Sequence, residues 1–255
     1  MYNSIYDTLI IGKKVIYLPS CHSTNDIAAE LVRSDSSMEG AVVITDDQTK
    51  GRGQRGTTWV TEPRMNLTMS VVLTPVFLPI PDQFLISQSI ALGVTTYLST
   101  YSDKVKIKWP NDIYLGDKKI CGTLIENSIQ GARLASSIAG IGVNVNQTRF
   151  VGGRATSLAS HTGKEFSMNE EFSKLVHHLD VWYFKLKSGH QEEIRREYLK
   201  YLFGFNQLCR FRYQNEIVSG TVTGITDYGK LCIRFEGHTD ITELGLKEIE
   251  WIWDN

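Results

Sequence analysis

An α+β fold, a mixed β-sheet packed with helices and followed by a small barrel-like β unit, accounts for the spacing of apolar residues along this chain of 255 residues. Up to about residue 205, short apolar or alternating runs of strand type are interrupted by stretches with helical spacing. From residue 206 the helical spacing gives way to short strands separated by turns. The length permits one or two domains with a full hydrophobic core, and the change of texture divides the chain at 1–205 and 206–255.

Residues 15–18 form the first strand candidate. After Ser20, Cys21 and His22 comes an amphipathic run with Ile27, Ala28, Leu31 and Val32, and Ser23 or Thr24 is placed to cap it. Such a helix start receives an anion only where a partner site faces it; otherwise the cap is purely structural. Residues 41–45 read as a buried strand leading into Gln48 and residues 51–59. In residues 66–75, Leu67, Met69, Val71 and Leu73 alternate with Thr68, Ser70 and Thr74, which predicts a half-buried strand. From Asp82 the spacing of Ile86, Ile90, Val94, Tyr97, Leu98 and Tyr101 predicts a core helix. Residues 105–109 alternate again, and Pro110 ends that ladder because it lacks an amide donor. Gly116 and Asp117 form a two-residue hairpin signal, with the next strand continuing to Ile125.

A glycine-bearing strand over residues 136–146 and a loop with Gly152 and Gly153 follow. Ser167 and Glu170 offer a capping box to a helix carrying Phe172, Leu175, Val176, Leu179, Tyr183 and Leu186, which Gly189 ends. A shorter helix holds Ile194, Tyr198 and Leu202. Five strands are then expected at 208–213, 217–223, 231–235, 241–244 and 248–253, a unit too small to build much core without docking on the main domain.

The stretch Gly51-Arg52-Gly53-Gln54-Arg55-Gly56-Thr57-Thr58-Trp59 sits between two predicted strands. Its glycines free the backbone and its arginines supply forked cationic donors, which suits a loop wrapping a carboxylate or phosphate. Read alone, it is equally a solvated turn with two arginines. The spacing matches neither the phosphate-binding loop with Lys-Ser/Thr nor the dinucleotide fingerprint. A second polar cluster, Lys108, Asn111, Asp112 and Lys119, falls on adjoining strands among Ile107, Trp109, Ile120 and Leu124. Charges there are costly to bury unless a ligand or a partner charge meets them. Asn144 and Asn146 share a strand face near Gly140 and Gly142, where close backbone or ligand approach and plain sheet packing are both open readings.

A formal charge of −1 and a mixed surface argue against a nucleic-acid partner. The four cysteines have no paired spacing, and neither Cys21 with His22 nor the adjacent His177 and His178 makes a metal set. No segment reads as a signal peptide or a membrane span, so a cytoplasmic protein is expected.

In order and spacing, Ser23-Thr24-Asn25, Gln48 with residues 51–59, Lys108-Trp109-Pro110-Asn111-Asp112 with Lys119 and Gly122, and Gly140-Ile141-Gly142-Val143-Asn144 together resemble the biotin protein ligases. The resemblance implies a class II synthetase-like catalytic domain followed by a small SH3-like barrel. It implies a two-step reaction in which biotin and ATP form biotinyl-5′-AMP and pyrophosphate, and biotin then passes to a lysine of a carrier domain such as that of acetyl-CoA carboxylase. By the family's pattern Lys119 and Arg52 are the catalytic pair. Ser23, Thr24, Asn25, Gln48, Gly51, Arg52, Gly53, Gln54, Lys119 and Gly122 surround biotin. Arg55, Trp59, Lys108, Asn111, Lys119 and Asn144 hold the ATP or adenylate side, and Asp112 holds Mg2+.

The chemistry suits these residue types. A carboxylate is already a nucleophile, so the site has to supply positive charge rather than a general base. Many family members carry Arg where this chain has Gln54, so retention of the adenylate rests more on Arg55, Lys119 and the metal. Bifunctional members place a winged-helix DNA-binding domain ahead of the catalytic motifs; Ser23 comes too early for one here, so a monofunctional ligase without operator binding is expected. Edge strands pair two copies into a homodimer in part of the family. The competing readings are a lipoate or octanoate ligase or transferase, and a non-catalytic sensor of biotin or an adenylate.

Overall fold

The computed structural model describes residues 2–35, 37–151 and 154–253, with Arg55 described by its backbone alone. Seven strands form one mixed sheet: β1 (Val15–Cys21), β2 (Val42–Gln48), β3 (Asn66–Leu73), β4 (Val105–Lys108), β5 (Asp112–Leu115), β6 (Lys118–Gln130) and β7 (Arg133–Asn144). Their order is β1-β2-β3-β7-β6-β5-β4, with β1 and β2 parallel and every other pair antiparallel. The parallel pair requires a crossover, and helix α1 (Thr24–Ser34) supplies it. α1 lays Ile27, Ala28, Leu31 and Val32 against Val43, Val72 and Ile138 on one face of the sheet. The opposite face, with Val42, Ile44, Leu67, Met69 and Val71, packs in the main core with α2 (Phe84–Leu98), α4 (Met168–Lys187) and α5 (Gln191–Tyr201). α2 and α4 lie so close that a Cβ on Gly93 would stand 2.9 Å from the Leu179 Cα.

Several local expectations change once the packing is seen. β3 is buried along its whole length rather than half-buried. Val72 lies under α1, and Ser70 lies beneath Thr24 and Asn25, so its alternation separates two interiors rather than core from water. The hairpin of β6 and β7 turns at Gly131, with φ 61°, and extends past the expected end at Ile125 to Gln130, where polar outer residues mask the strand signal. α2 starts at Phe84, after a 3-10 turn at Ile80–Asp82, and ends before Tyr101. Ser23 and Ser167 are the N-caps of α1 and α4, yet neither side chain caps, so the expected capping box is not formed. Glu171, not Glu170, does the structural work there: 1% exposed, it accepts from Tyr97 at 2.6 Å and from Tyr101, and it pairs with Lys174 at 2.8 Å. A short helix, α3 (Leu158–Thr162), was not expected, although Ser157 caps its start by accepting from Ser160 N and Gly163 ends it in the left-handed region; Gly152 and Gly153 lie outside the described residues.

The remaining strands, β8 (Leu208–Tyr213), β9 (Glu216–Ile225), β10 (Leu231–Phe235), β11 (Thr242–Leu244) and β12 (Ile249–Trp251), form an antiparallel ladder in the order β11-β10-β9-β8-β12. Among the described residues no pairing joins β11 to β12, so closure into a barrel is not seen. Docking supplies the core this unit lacks. Trp109 Nε1 donates to Gly229 O at 2.8 Å, Tyr114 stacks on Trp253 with ring centroids 5.2 Å apart, and Phe211 and Trp251 share one cluster with Tyr198 and Leu202.

The chain's start is held by one buried carboxylate. Asp180 on α4, 3% exposed, accepts from the backbone N–H groups of Leu9, Ile10 and Ile11 at 2.6, 2.7 and 2.7 Å. Asp180→Ala leaves those donors without an acceptor and is expected to cost about 2–4 kcal/mol in urea unfolding, without altering the cleft.

Candidate functional site

Strand register builds the floor of the site. Thr45, Thr68, Gly142, Gly122, Asp112 and Lys108 are successive cross-strand partners from β2 to β4, so they lie in one row on one face of the sheet. Two residues along, Val43, Ser70, Gly140 and Leu124 form a second row on that face. α1 covers only the far end of these rows. The glycines in the middle leave a cleft of about 630 Å³, walled by the N-terminus of α1 and the 51–59 loop. A Cβ on Gly140 would fall 2.4 Å from Asn25 Oδ1, and one on Gly142 would fall 2.4 Å from the Trp59 indole. Both glycines are therefore required by what rests on them.

The loop closes on itself. Trp59 N donates to Gly51 O at 3.1 Å and Gly53 N to Thr57 O at 2.7 Å, which lays the indole back over Gly122 and Gly142. The Trp59 Nε1 donor has no partner among the described residues. At one end of the cleft the groups around Thr24 are uncharged. Gln48 Oε1 accepts from Thr24 N at 2.8 Å and lies 3.2 Å from Thr24 Oγ1, whose oxygen is 2.7 Å from the Ser70 hydroxyl. At the other end stand cations. Lys119 Nζ is 2.7 Å from Asp112 Oδ1 and 5.5 Å from the centre of the Trp59 ring. Lys108 lies 5.4 Å from the Tyr114 ring and 5.7 Å from the Trp253 ring, and burial holds its ammonium below the usual lysine range against the opposing pull of Asp112.

Of the residues expected at the site, Ser23, Thr24, Asn25, Gln48, Arg52, Gly53, Gln54, Trp59, Lys108, Asn111, Asp112, Lys119 and Gly122 line this one cleft. Gly51 lies behind it, where any Cβ would meet Trp59 O at 2.2 Å. Asn111 is tied to β6 through Nδ2 to Thr123 O at 2.7 Å. Asn144 is buried outside the lining and donates from Nδ2 to Thr156 O at 2.9 Å, and Thr156 N in turn bonds Lys119 O at 2.9 Å. The Arg55 side chain lies outside the described residues.

Sequence reading missed Ser70, Asp26, Glu126, Lys247 and Glu250. Lys247 and Glu250 reach the cleft from the C-terminal unit, and Glu126 follows Gly122 and Leu124 at strand period, a signal that could have found it. Among the described residues no three His, Cys, Asp or Glu side chains gather into a metal set, and Asp112 is paired with Lys119.

A glycine floor, uncharged polar groups around Thr24 and lysines at the opposite end suit a small molecule with a neutral polar head and an anionic tail. The model of the biotin/lipoate A/B protein ligase family matches residues 17–144, and that of the biotin protein ligase C terminal domain matches residues 204–242. The chain belongs to the biotin/lipoate A/B protein ligase family. The bifunctional ligase/repressor BirA of Bacillus spizizenii is 29% identical over 253 residues, 95% of this chain and 74% of that protein. The biotin--[acetyl-CoA-carboxylase] ligase of Mycobacterium tuberculosis is 25% identical over 229 residues, 88% of this chain and 84% of that one. The biotin protein ligase from Aquifex aeolicus, solved in complex with biotin and ATP, superposes with a TM-score of 0.75 at 26% identity, covering 93% of this chain and 98% of that one.

Gly142→Ala is expected to push the Trp59 indole off the floor. Near-UV circular dichroism should change while far-UV circular dichroism does not, with a loss of about 1–3 kcal/mol in stability from overpacking.

Proposed function

We propose that the protein is an ATP-dependent biotin protein ligase. It joins biotin to ATP as biotinyl-5′-AMP with release of pyrophosphate, then passes the biotinyl group to a lysine of a biotin carboxyl carrier domain. The observation that carries this reading is the convergence, on one glycine floor, of the uncharged Ser23, Thr24 and Gln48 end with the Lys119 and Lys108 end. The match of residues 17–144 to the biotin/lipoate A/B protein ligase family and of residues 204–242 to the biotin protein ligase C terminal domain supports it. Residues 1–205 are read as the catalytic domain and 206–255 as the unit that adds Lys247 and Glu250 to the rim.

Hydroxyls and an amide suit the ureido ring of biotin, which offers donors and an acceptor without charge. The biotin carboxylate then lies toward Lys119, whose ammonium exchanges Asp112 for the carboxylate and the α-phosphate. Bringing two anions together is the main barrier, and a fixed ammonium lowers it without a proton transfer. Asn144, through Thr156, steadies the backbone of Lys119. Trp59 offers its indole face to the adenine, while Lys108, Asn111 and Arg55 serve the phosphate side.

Asp112 by itself would not cage Mg2+, but it would help to hold a Mg2+ that arrives with ATP. That ion would spread charge from the leaving pyrophosphate, with Asp112 as its protein ligand. In the second step a neutral lysine amine of the carrier attacks the acyl carbon of the anhydride, and AMP leaves. The outer edge of β1, at the end of the sheet, is where a second copy could pair.

Mass spectrometry of a carrier domain incubated with the protein, ATP, Mg2+ and biotin should show one biotinyl mass on one lysine. Pyrophosphate exchange supported by lipoate and not by biotin would overturn the assignment. Lys119→Ala is expected to lower biotin-dependent exchange by roughly 10²–10³ with little change in the unfolding midpoint. Because burial lowers the Lys108 pKa, its charge is lost on the alkaline side earlier than for a free lysine. The KM for ATP should therefore rise at high pH, and Lys108→Arg should move that limb to higher pH.

A further inference from the structure

We propose that Glu126 is a positioning residue for the biotin end of the cleft, a role that rests on the ligase reading above. Glu126 stands on β6 in the cross-strand row Val72, Ile138, Glu126, which runs beneath the start of α1. Its Oε2 accepts from Asn25 Nδ2 at 2.6 Å and from Arg52 Nη2 at 3.2 Å. Asn25 belongs to α1 and Arg52 to the loop, so one carboxylate oxygen joins the two walls of the cleft.

On the first arm, Glu126 decides which way the Asn25 amide faces. Asn25 is 4% exposed, and its Oδ1 accepts from the Ser70 hydroxyl at 2.6 Å. A flipped amide would turn its oxygen toward the carboxylate, a repulsion that fixes the observed orientation. Ser70 also touches Thr24, and Thr24 touches Gln48, so the amide anchors the whole uncharged end.

On the second arm, Arg52 is shared between Glu126 and Asp26, whose Oδ1 lies 2.6 Å away. Two carboxylates on one guanidinium leave it no surplus charge for a ligand anion, so Arg52 fastens the loop to β6 and α1. The pair is 45% and 41% open to water, so screening weakens its Coulomb energy and leaves geometry as its contribution.

Three variants separate the arms. Glu126→Gln keeps an acceptor for Asn25 and removes charge from Arg52, Asp26→Asn loosens Arg52 alone, and Glu126→Ala breaks both. On the full chain, the measurements are KM for biotin and for ATP in pyrophosphate exchange, the rate of tryptic cleavage within residues 50–55 without ligand, and the urea midpoint. Glu126→Ala should raise the biotin KM about tenfold or more, leave the ATP KM within about twofold and speed loop cleavage several-fold. Glu126→Gln and Asp26→Asn should speed cleavage with a smaller rise in biotin KM.

An unchanged biotin KM and cleavage rate in Glu126→Ala overturns the proposal. So does a parallel rise of both KM values with a lower urea midpoint, which marks a merely structural residue. Should the unaltered protein show no biotin-dependent exchange, the ligase reading fails by itself, and the cleavage rates still decide whether the clasp exists.

Discussion

The structure depends on one sheet being covered unequally. α2, α4 and α5 form the layer on one face, while among the described residues α1 is the helix on the other, over Val43, Val72 and Ile138. Beyond α1 the rows continue into Gly140, Gly142 and Gly122, where no side chain rises to fill the space. An apolar surface left there would be a standing cost in water. The chain instead folds the 51–59 loop back so that the Trp59 indole lies on the glycines, and the cleft between loop and helix becomes the binding site.

Charge is then distributed along the cleft rather than concentrated. Lys119 is held by Asp112, and Arg52 by Asp26 and Glu126, so each of these cations is met by a carboxylate. Such pairing lets charged side chains stand beside apolar strands in the absence of ligand. It also separates their functions. Lys119 has one partner that a substrate anion can replace, whereas Arg52 has two partners on different elements and is better placed to hold the loop. Lys108 stands apart, set between the Tyr114 and Trp253 rings, so that the C-terminal unit helps define the cationic end.

That unit contributes more than a cover. Its five short strands gain core by docking through Trp109, Tyr114 and Trp253, and the docking brings Lys247 and Glu250 to the rim of the cleft. Stability of the small unit and completion of the site thus come from the same contacts. Loss of the Trp109 to Gly229 hydrogen bond would be felt in both.

Spacing along the chain determined the α+β order of elements, the loop between β2 and β3, the hairpin at Gly116 and the change to short strands after residue 206. These rest on local geometry, where the 2.0 and 3.6 periods and the glycine and proline positions act directly. The motif residues Ser23, Gln48, Arg52, Lys108, Asp112 and Lys119 could be singled out through the resemblance to the biotin protein ligases, and the fold brings them to one cleft. What only the tertiary structure decided is how strands align. Register across three ladders places Thr68, Gly142, Gly122 and Asp112 side by side, and pairing and packing also bury β3 on both faces and set Glu126 under Asn25 and Arg52. Asn144, legible as a polar strand residue, proves to reach Lys119 through Thr156 from behind the cleft. The physical reason is that pairing register is a non-local quantity: each strand's alternation says which residues share a face, but only its neighbours fix which of them meet.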